Sequence, residues 1–115
     1  MPIHRPVRAR SFYVDTQNTA LHVAYTCPPN CVAEVVYLHV INVSGNNTIH
    51  VRWYIAADNY TSQFLNGYNM AAGAYFDFPN LRLFLQPGDQ ITLQSDNAGH
   101  ADLIGSVTET FTPSQ

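Results

Sequence analysis

Apolar and polar residues alternate with a period of two along most of this chain, and no stretch sustains the 3.6-residue period of an amphipathic helix. Ser11–Thr16 and Ala20–Thr26 read as two strands separated by Gln17-Asn18-Thr19. Beyond the turn Cys27-Pro28-Pro29-Asn30-Cys31, the longest predicted strand is Val32–Asn42. It places Val36, Leu38 and Val40 on one face and Val35, Tyr37, His39 and Ile41 on the other. Apolar groups on both faces predict a central strand covered on both sides. Ser44-Gly45-Asn46-Asn47 carries a hairpin signal. The next strand, Thr48–Ala56, turns Ile49, Val51, Trp53 and Ile55 inward and Thr48, His50, Arg52 and Tyr54 outward. Asp58-Asn59 and Asn66-Gly67 punctuate a looser middle. Tyr75–Phe78 and Leu81–Leu85 are short strands broken at Pro79-Asn80, and Gln86-Pro87-Gly88-Asp89 fits a type II turn. Gln90–Ser95 and a last strand near Ala101–Phe111 follow, the latter with Leu103, Val107 and Phe111 on one face. About eight strands at such spacings predict an all-β fold, an antiparallel, jelly-roll-like β-sandwich occupying residues 11–115 as a single domain.

Charge changes the picture at one end. Three of five arginines (Arg5, Arg8, Arg10) lie within residues 1–10, which contain no acid, whereas the other 105 residues carry two arginines, no lysine and eight carboxylates. Residues 1–10 therefore read as an extended basic arm, held extended by Pro2 and Pro6, that reaches for a partner surface. Charged residues make up only 11% of the chain, against roughly 25% in an average soluble domain. A surface so poor in charge is suited to being covered by neighbours. The weakly acidic body lacks the basic stripe of a general nucleic-acid binder. No apolar run approaches the ~20 residues of a membrane-spanning helix, and the basic start, with its prolines, lacks the apolar core of a signal peptide. The expectation is synthesis in the cytoplasm, with Asn42, Asn46 and Asn59 in N-x-S/T triplets serving as turn residues rather than glycan acceptors.

Tests for chemistry are mostly negative. Ser106 lies near His100 and Asp102, but without a nucleophile elbow; neighbours on one strand do not make a triad. His100 and Asp102, at i and i+2, could set two metal ligands side by side, with Asp96 and Asn97 as oxygen donors in the preceding turn; turn formation and solvation are their ordinary roles. Asp77, Asp89 and Asp96 sit at turns or strand ends rather than as a catalytic pair. Neither a catalytic residue, a cofactor nor a metal site is expected, and the chain reads as a non-enzyme. Cys27 and Cys31 are either two small thiols at a strand–turn–strand corner or a disulfide across it; two cysteines alone supply half of a tetrahedral metal set. His50, Arg52, Tyr54, Tyr60 and Tyr68 form a candidate interface surface, with Tyr75 nearby, because Tyr and Arg favour protein interfaces and also stack on sugars.

Two segments carry a resemblance. Tyr25-Thr26-x-Pro28 followed by Ala33-x-Val35-x-x-Leu38-x-Val40-x-Asn42-x-Ser44, and later Leu85-x-Pro87-Gly88-Asp89-x-Ile91, resemble small β-sandwich virion accessory proteins of tailed bacteriophages, over about Leu21 to Val107. This chain departs from that pattern in its Cys27/Cys31 pair and its arm. The resemblance implies a virion accessory role, on the capsid surface or on the neck and tail, often as a symmetric oligomer; the leading expectation is a capsid decoration (cement) protein. The arm would bind the major capsid protein and the sandwich would form a homo-oligomer, a trimer being the first expectation. A neck, tail or fibre-base component, or a carbohydrate-binding module for host attachment, are the alternatives. Neither nucleic acid nor membrane is an expected partner.

Overall fold

The computed structural model describes residues 6–112. Nine strands occur among them: β1 (Val7–Thr16), β2 (His22–Thr26), β3 (Cys31–Ser44), β4 (Asn47–Ile55), β5 (Tyr60–Met70), β6 (Tyr75–Phe78), β7 (Leu83–Leu85), β8 (Gln90–Ser95) and β9 (His100–Phe111), with one 3-10 turn at Ala56–Asp58. They form two antiparallel sheets packed as a sandwich. The five-stranded sheet runs β1-β9-β3-β6, with β7 beside β6 on the same edge of β3; the four-stranded sheet runs β2-β8-β4-β5. Most connections cross from one sheet to the other, which is the wiring of a jelly roll. Strands β6 and β7 behave as one strand interrupted at Pro79-Asn80. Proline cannot donate to the ladder, Asn80 adopts a positive φ of 58°, and the Leu81 amide returns to the Val36 carbonyl at 3.1 Å.

The core is made by alternation from both sheets. Ala33, Val35, Leu38 and Val40 of β3 and Leu103 and Val107 of β9 meet Ile49 and Val51 of β4 and Ile91 and Leu93 of β8, all essentially inaccessible to solvent. Burying each of the larger side chains contributes roughly 1.5–3 kcal/mol. Trp53 and Phe111 pack at the margin of this cluster.

Five expectations need correction. A bulge between Val35 and Tyr37 lets two residues of β3 oppose one of β9, so Val35, not Val36, shares the inner face with Leu38. The opposite face of β3 (Tyr37, His39, Ile41) is half-buried and has no further layer over it among the described residues. Ser44–Asn47 is not a hairpin, because β3 and β4 belong to different sheets. There the Asn42 side chain donates to the Gly45 and Met70 carbonyls (2.7 and 2.8 Å) and Asn47 donates to the Ser44 carbonyl (3.1 Å), so two buried amides satisfy the backbone at an inter-sheet corner. The looser middle is β5, eleven residues long, and Asn66-Gly67 lies at a bulge where Gly67 takes a φ of 69°. Finally, strand β1 starts at Val7: residues 7–10, expected in the arm, pair with Val107–Thr110 of β9. Met1–Arg5, including Pro2 and Arg5 of the expected arm, lie outside the described residues.

The corner Gln86–Asp89 matches its expected turn. The Asp89 amide donates to the Gln86 carbonyl at 3.0 Å and Gly88 has a φ of 89°, as the second central residue of a type II turn requires. The buried Asp89 carboxylate accepts from the amides of Ala56 and Gln86, both at 2.9 Å. The Pro-Gly-Asp motif is therefore a structural joint between β7, β8 and the 3-10 turn.

Gly105 is the tightest glycine of the core. A Cβ there would lie 2.6 Å from Phe12 Cζ, 2.7 Å from the Tyr37 carbonyl oxygen and 2.9 Å from Leu38 Cδ2. Gly105→Ala is expected to destabilise the fold by about 1–3 kcal/mol through overpacking, read as a lower urea midpoint with an unchanged slope.

Candidate interaction surface

The two described arm arginines are drawn into the fold. Arg8 and Arg10 alternate with Phe12, Val14 and Thr16 along β1, which puts them on the inward-facing side at the open end of the sandwich. Both meet Glu109, whose side chain is fully buried. Arg8 donates from Nε to Glu109 Oε1 at 2.8 Å, its Nη2 lies 2.7 Å from the same oxygen, and Arg10 Nη1 lies 3.7 Å from Oε2. From the other sheet, the Tyr25 hydroxyl donates to Glu109 Oε2 at 2.5 Å. The Arg8 guanidinium also sits 5.2 Å from the centre of the Phe111 ring, within cation–π range. Burial by itself pushes the Glu109 carboxyl up. The hydrogen bonds from Tyr25 and Arg8 and the charges of both arginines outweigh it and hold the group below the usual carboxylate range. Burial, then the Glu109 hydrogen bond, pushes the Tyr25 hydroxyl up. Alternation placed Glu109 in line with Leu103 and Val107, so its burial was readable; its partners were not.

The outer face of the five-stranded sheet is the larger exposed feature. Register aligns Tyr13, Ile104, His39 and Asp77 in one row and Asp15, Asp102, Ile41 and Tyr75 in the next. Tyr13 is 77% exposed, Tyr75 59% and Ile104 46%. The His39 and Tyr75 rings lie 5.5 Å apart. Asp77 accepts hydrogen bonds from His39 and, at 2.7 Å, from the Tyr37 hydroxyl; these hold its carboxyl below the usual range. Val7 and Phe84 extend the same face, both exposed. Tyr13 and Ile104 were not singled out from the sequence, although each is an apolar residue at an outward position.

Of the five residues expected to share a surface, three do. His50, Arg52 and Tyr54 project from β4 on the outer face of the four-stranded sheet. Arg52 donates to Gln94 Oε1 at 2.6 Å, and His50 Nε2 lies 3.1 Å from both Asp96 carboxylate oxygens. Arg52 and Tyr54 line a shallow cleft of about 470 Å³ with Leu21, Gln63 and Gln90. Tyr60 and Tyr68 do not join them, because they register opposite the inward residues Ile55 and Ile49. Tyr68 packs edge-on against Phe76 at 4.8 Å, closing the side of the sandwich. Tyr75 belongs to the opposite sheet.

Cys27 and Cys31 are free and buried. Cys27 Sγ contacts the carbonyl oxygens of Cys31 and Leu85, both at 3.4 Å. Burial, reinforced by Cys31, pushes the Cys27 thiol up to about 12, and burial raises Cys31 as well.

No protein-family model and no curated protein matches this chain. Solved structures do. A chain from Bacillus endospore appendages, described as a novel family of disulfide-linked pili, is 16% identical over 96% of this chain and 92% of its own, with a TM-score of 0.52. A chain of the Cyanophage Pam1 capsid asymmetric unit is 12% identical over 97% and 91%, with a TM-score of 0.49. A chain from infectious bursal disease virus, Gx strain, is 14% identical over 95% of this chain but 32% of its own, at 0.49. At these identities the likeness is one of fold.

Two outcomes follow from the buried groups. Because the Glu109 carboxyl is depressed in the folded state, its contribution to stability is complete above the unfolded value near ~4.3 and is lost as pH falls through the lower folded value. Urea unfolding across that acid range should show a decline that Glu109→Gln flattens. The thiols should react with Ellman's reagent only slowly in the native protein and both become titratable in guanidinium, since little thiolate forms at such raised values. Two missing thiols after unfolding would show a disulfide instead.

Proposed function

We propose that this chain is a non-enzymatic structural protein of a virion, most specifically a capsid decoration (cement) protein that docks on an assembled shell through the outer face of its five-stranded sheet. The observation that carries this reading is the exposure of Tyr13, Ile104 and Tyr75 on that one face, in two neighbouring rows. Free monomers seldom leave contiguous apolar area of that kind uncovered, and aromatic residues without lysine are what interface cores favour. The bacteriophage-like segments Tyr25–Ser44 and Leu85–Ile91 supply the setting. Strand β1 is an edge of that sheet, so its first residues, Val7–Arg10, border the face that meets the shell subunits, and oligomerisation of the sandwich belongs to the same proposal. Glycan binding is a second reading, favoured by the Arg52–Tyr54 cleft lined by Gln63 and Gln90.

Purified protein should co-sediment with tailless capsids, and Tyr13→Glu combined with Ile104→Glu should abolish binding while leaving the melting temperature within a few degrees, because both side chains are exposed. Binding to isolated tails alone would move the protein to the neck or tail. Binding to neither, with retention on a glycan array, would replace the docking reading by the carbohydrate one. Removing residues 1–5 should preserve the fold, whereas removing 1–10 should destabilise it by stripping Glu109 of its arginines.

A further inference from the structure

At one end of the five-stranded sheet, three side chains from the two ends of the chain converge. Asp15 of β1 and Asp102 of β9 are directly opposed in register, and His100 projects on the same side two residues earlier. His100 Nε2 lies 3.0 Å from Asp102 Oδ1 and 3.7 Å from Asp15 Oδ2. One ligand atom from each residue lies within 4.8 Å of both others. We propose that Asp15, His100 and Asp102 bind a divalent transition-metal ion, Zn²⁺ being the best match.

Geometry supports this first. Metal bonds to imidazole nitrogen and carboxylate oxygen are about 2.0–2.2 Å, so ligand atoms around one ion stand roughly 3–3.5 Å apart. The observed separations need only small side-chain rotations to reach that spacing. The ladder between β1 and β9 fixes the backbone of all three residues, so the site is held by paired strands rather than a loop.

Electrostatics supplies an independent reason. Like charges directly opposite on neighbouring strands repel, and the described residues offer little to offset the Asp15–Asp102 pair. It contains no lysine. Among the described arginines, Arg8 and Arg10 serve Glu109, Arg52 serves Gln94 and Arg82 pairs with Glu34. Among the described residues, compensation falls to His100 or to a cation seated among all three. The donor set chooses the cation: one imidazole with two carboxylates suits Zn²⁺, Co²⁺ or Ni²⁺ better than Ca²⁺ or Mg²⁺, which prefer all-oxygen shells. Three protein ligands leave a coordination position open outward. The bound ion would tie the end of β1 to β9. The proposal stands on these three side chains and does not rest on the docking reading.

The test uses the full-length protein stripped with EDTA. Isothermal titration with ZnCl₂ should show one equivalent bound and a raised melting temperature, while CaCl₂ and MgCl₂ give neither. Asp15→Asn, His100→Ala and Asp102→Asn should each weaken Zn²⁺ binding at least about tenfold, the loss that even an outer-shell change produces. Cys27→Ser with Cys31→Ser should leave affinity unchanged. Absorption of the Co²⁺-loaded wild type should show d–d bands without thiolate charge transfer, a readout that needs no variant to fold. Absence of Zn²⁺ binding to the wild type overturns the site, as does full affinity in the Asp15→Asn/Asp102→Asn protein or a thiolate band with Co²⁺.

Discussion

The Glu109 carboxylate is the constraint around which the open end of this sandwich is organised. An ionised carboxylate without partners in that position would cost several kcal/mol. It is tolerated because Tyr25, from the facing sheet, and Arg8 and Arg10, from the neighbouring strand, converge on its two oxygens. That one group therefore links β9 to β1 within its own sheet and to β2 across the core. It also gives the basic start of the chain an internal task. The arginines that look free in the sequence lie about half-exposed over a buried acid, with Phe111 beneath one of them.

Elsewhere, buried polar side chains do for the chain reversals what Glu109 does for the end. Asn42 and Asn47 satisfy carbonyls at the β3–β4 corner, and Asp89 satisfies amides at the β7–β8 corner. Buried backbone groups must find partners, and a jelly roll that crosses between sheets at most connections creates many reversals without a ladder to supply them. With the corners fixed this way, the strands are rigid enough to present two distinct outer faces. One is polar, around Arg52, Gln63, Gln90 and Gln94. The other is aromatic and aliphatic, around Tyr13, Ile104 and Tyr75, bordered by acids.

The period-two alternation and the Gly, Pro and Asn positions determined the all-β class, most of the nine strands, the inward set of β4, β8 and β9, and the type II turn at Pro87-Gly88. These are local properties: side-chain direction alternates along any strand, and Gly88 or Pro87 restricts its own dihedral angles. The alternation also marked His100 and Asp102 as neighbours on one face, whereas Glu109, in line with Leu103 and Val107, was not singled out. What only the tertiary structure decided is non-local. Pairing with β9 extended β1 back to Val7, a bulge at Val36 exchanged which valine faces the core, and the change of sheet at Ser44–Asn47 made a corner of an apparent hairpin. It also brought Asp15 beside Asp102, sent Tyr68 to Phe76 and separated Tyr60 and Tyr68 from Arg52. Each depends on which strand lies alongside, and partners up to about a hundred residues apart leave no trace in a local pattern of polar and apolar positions.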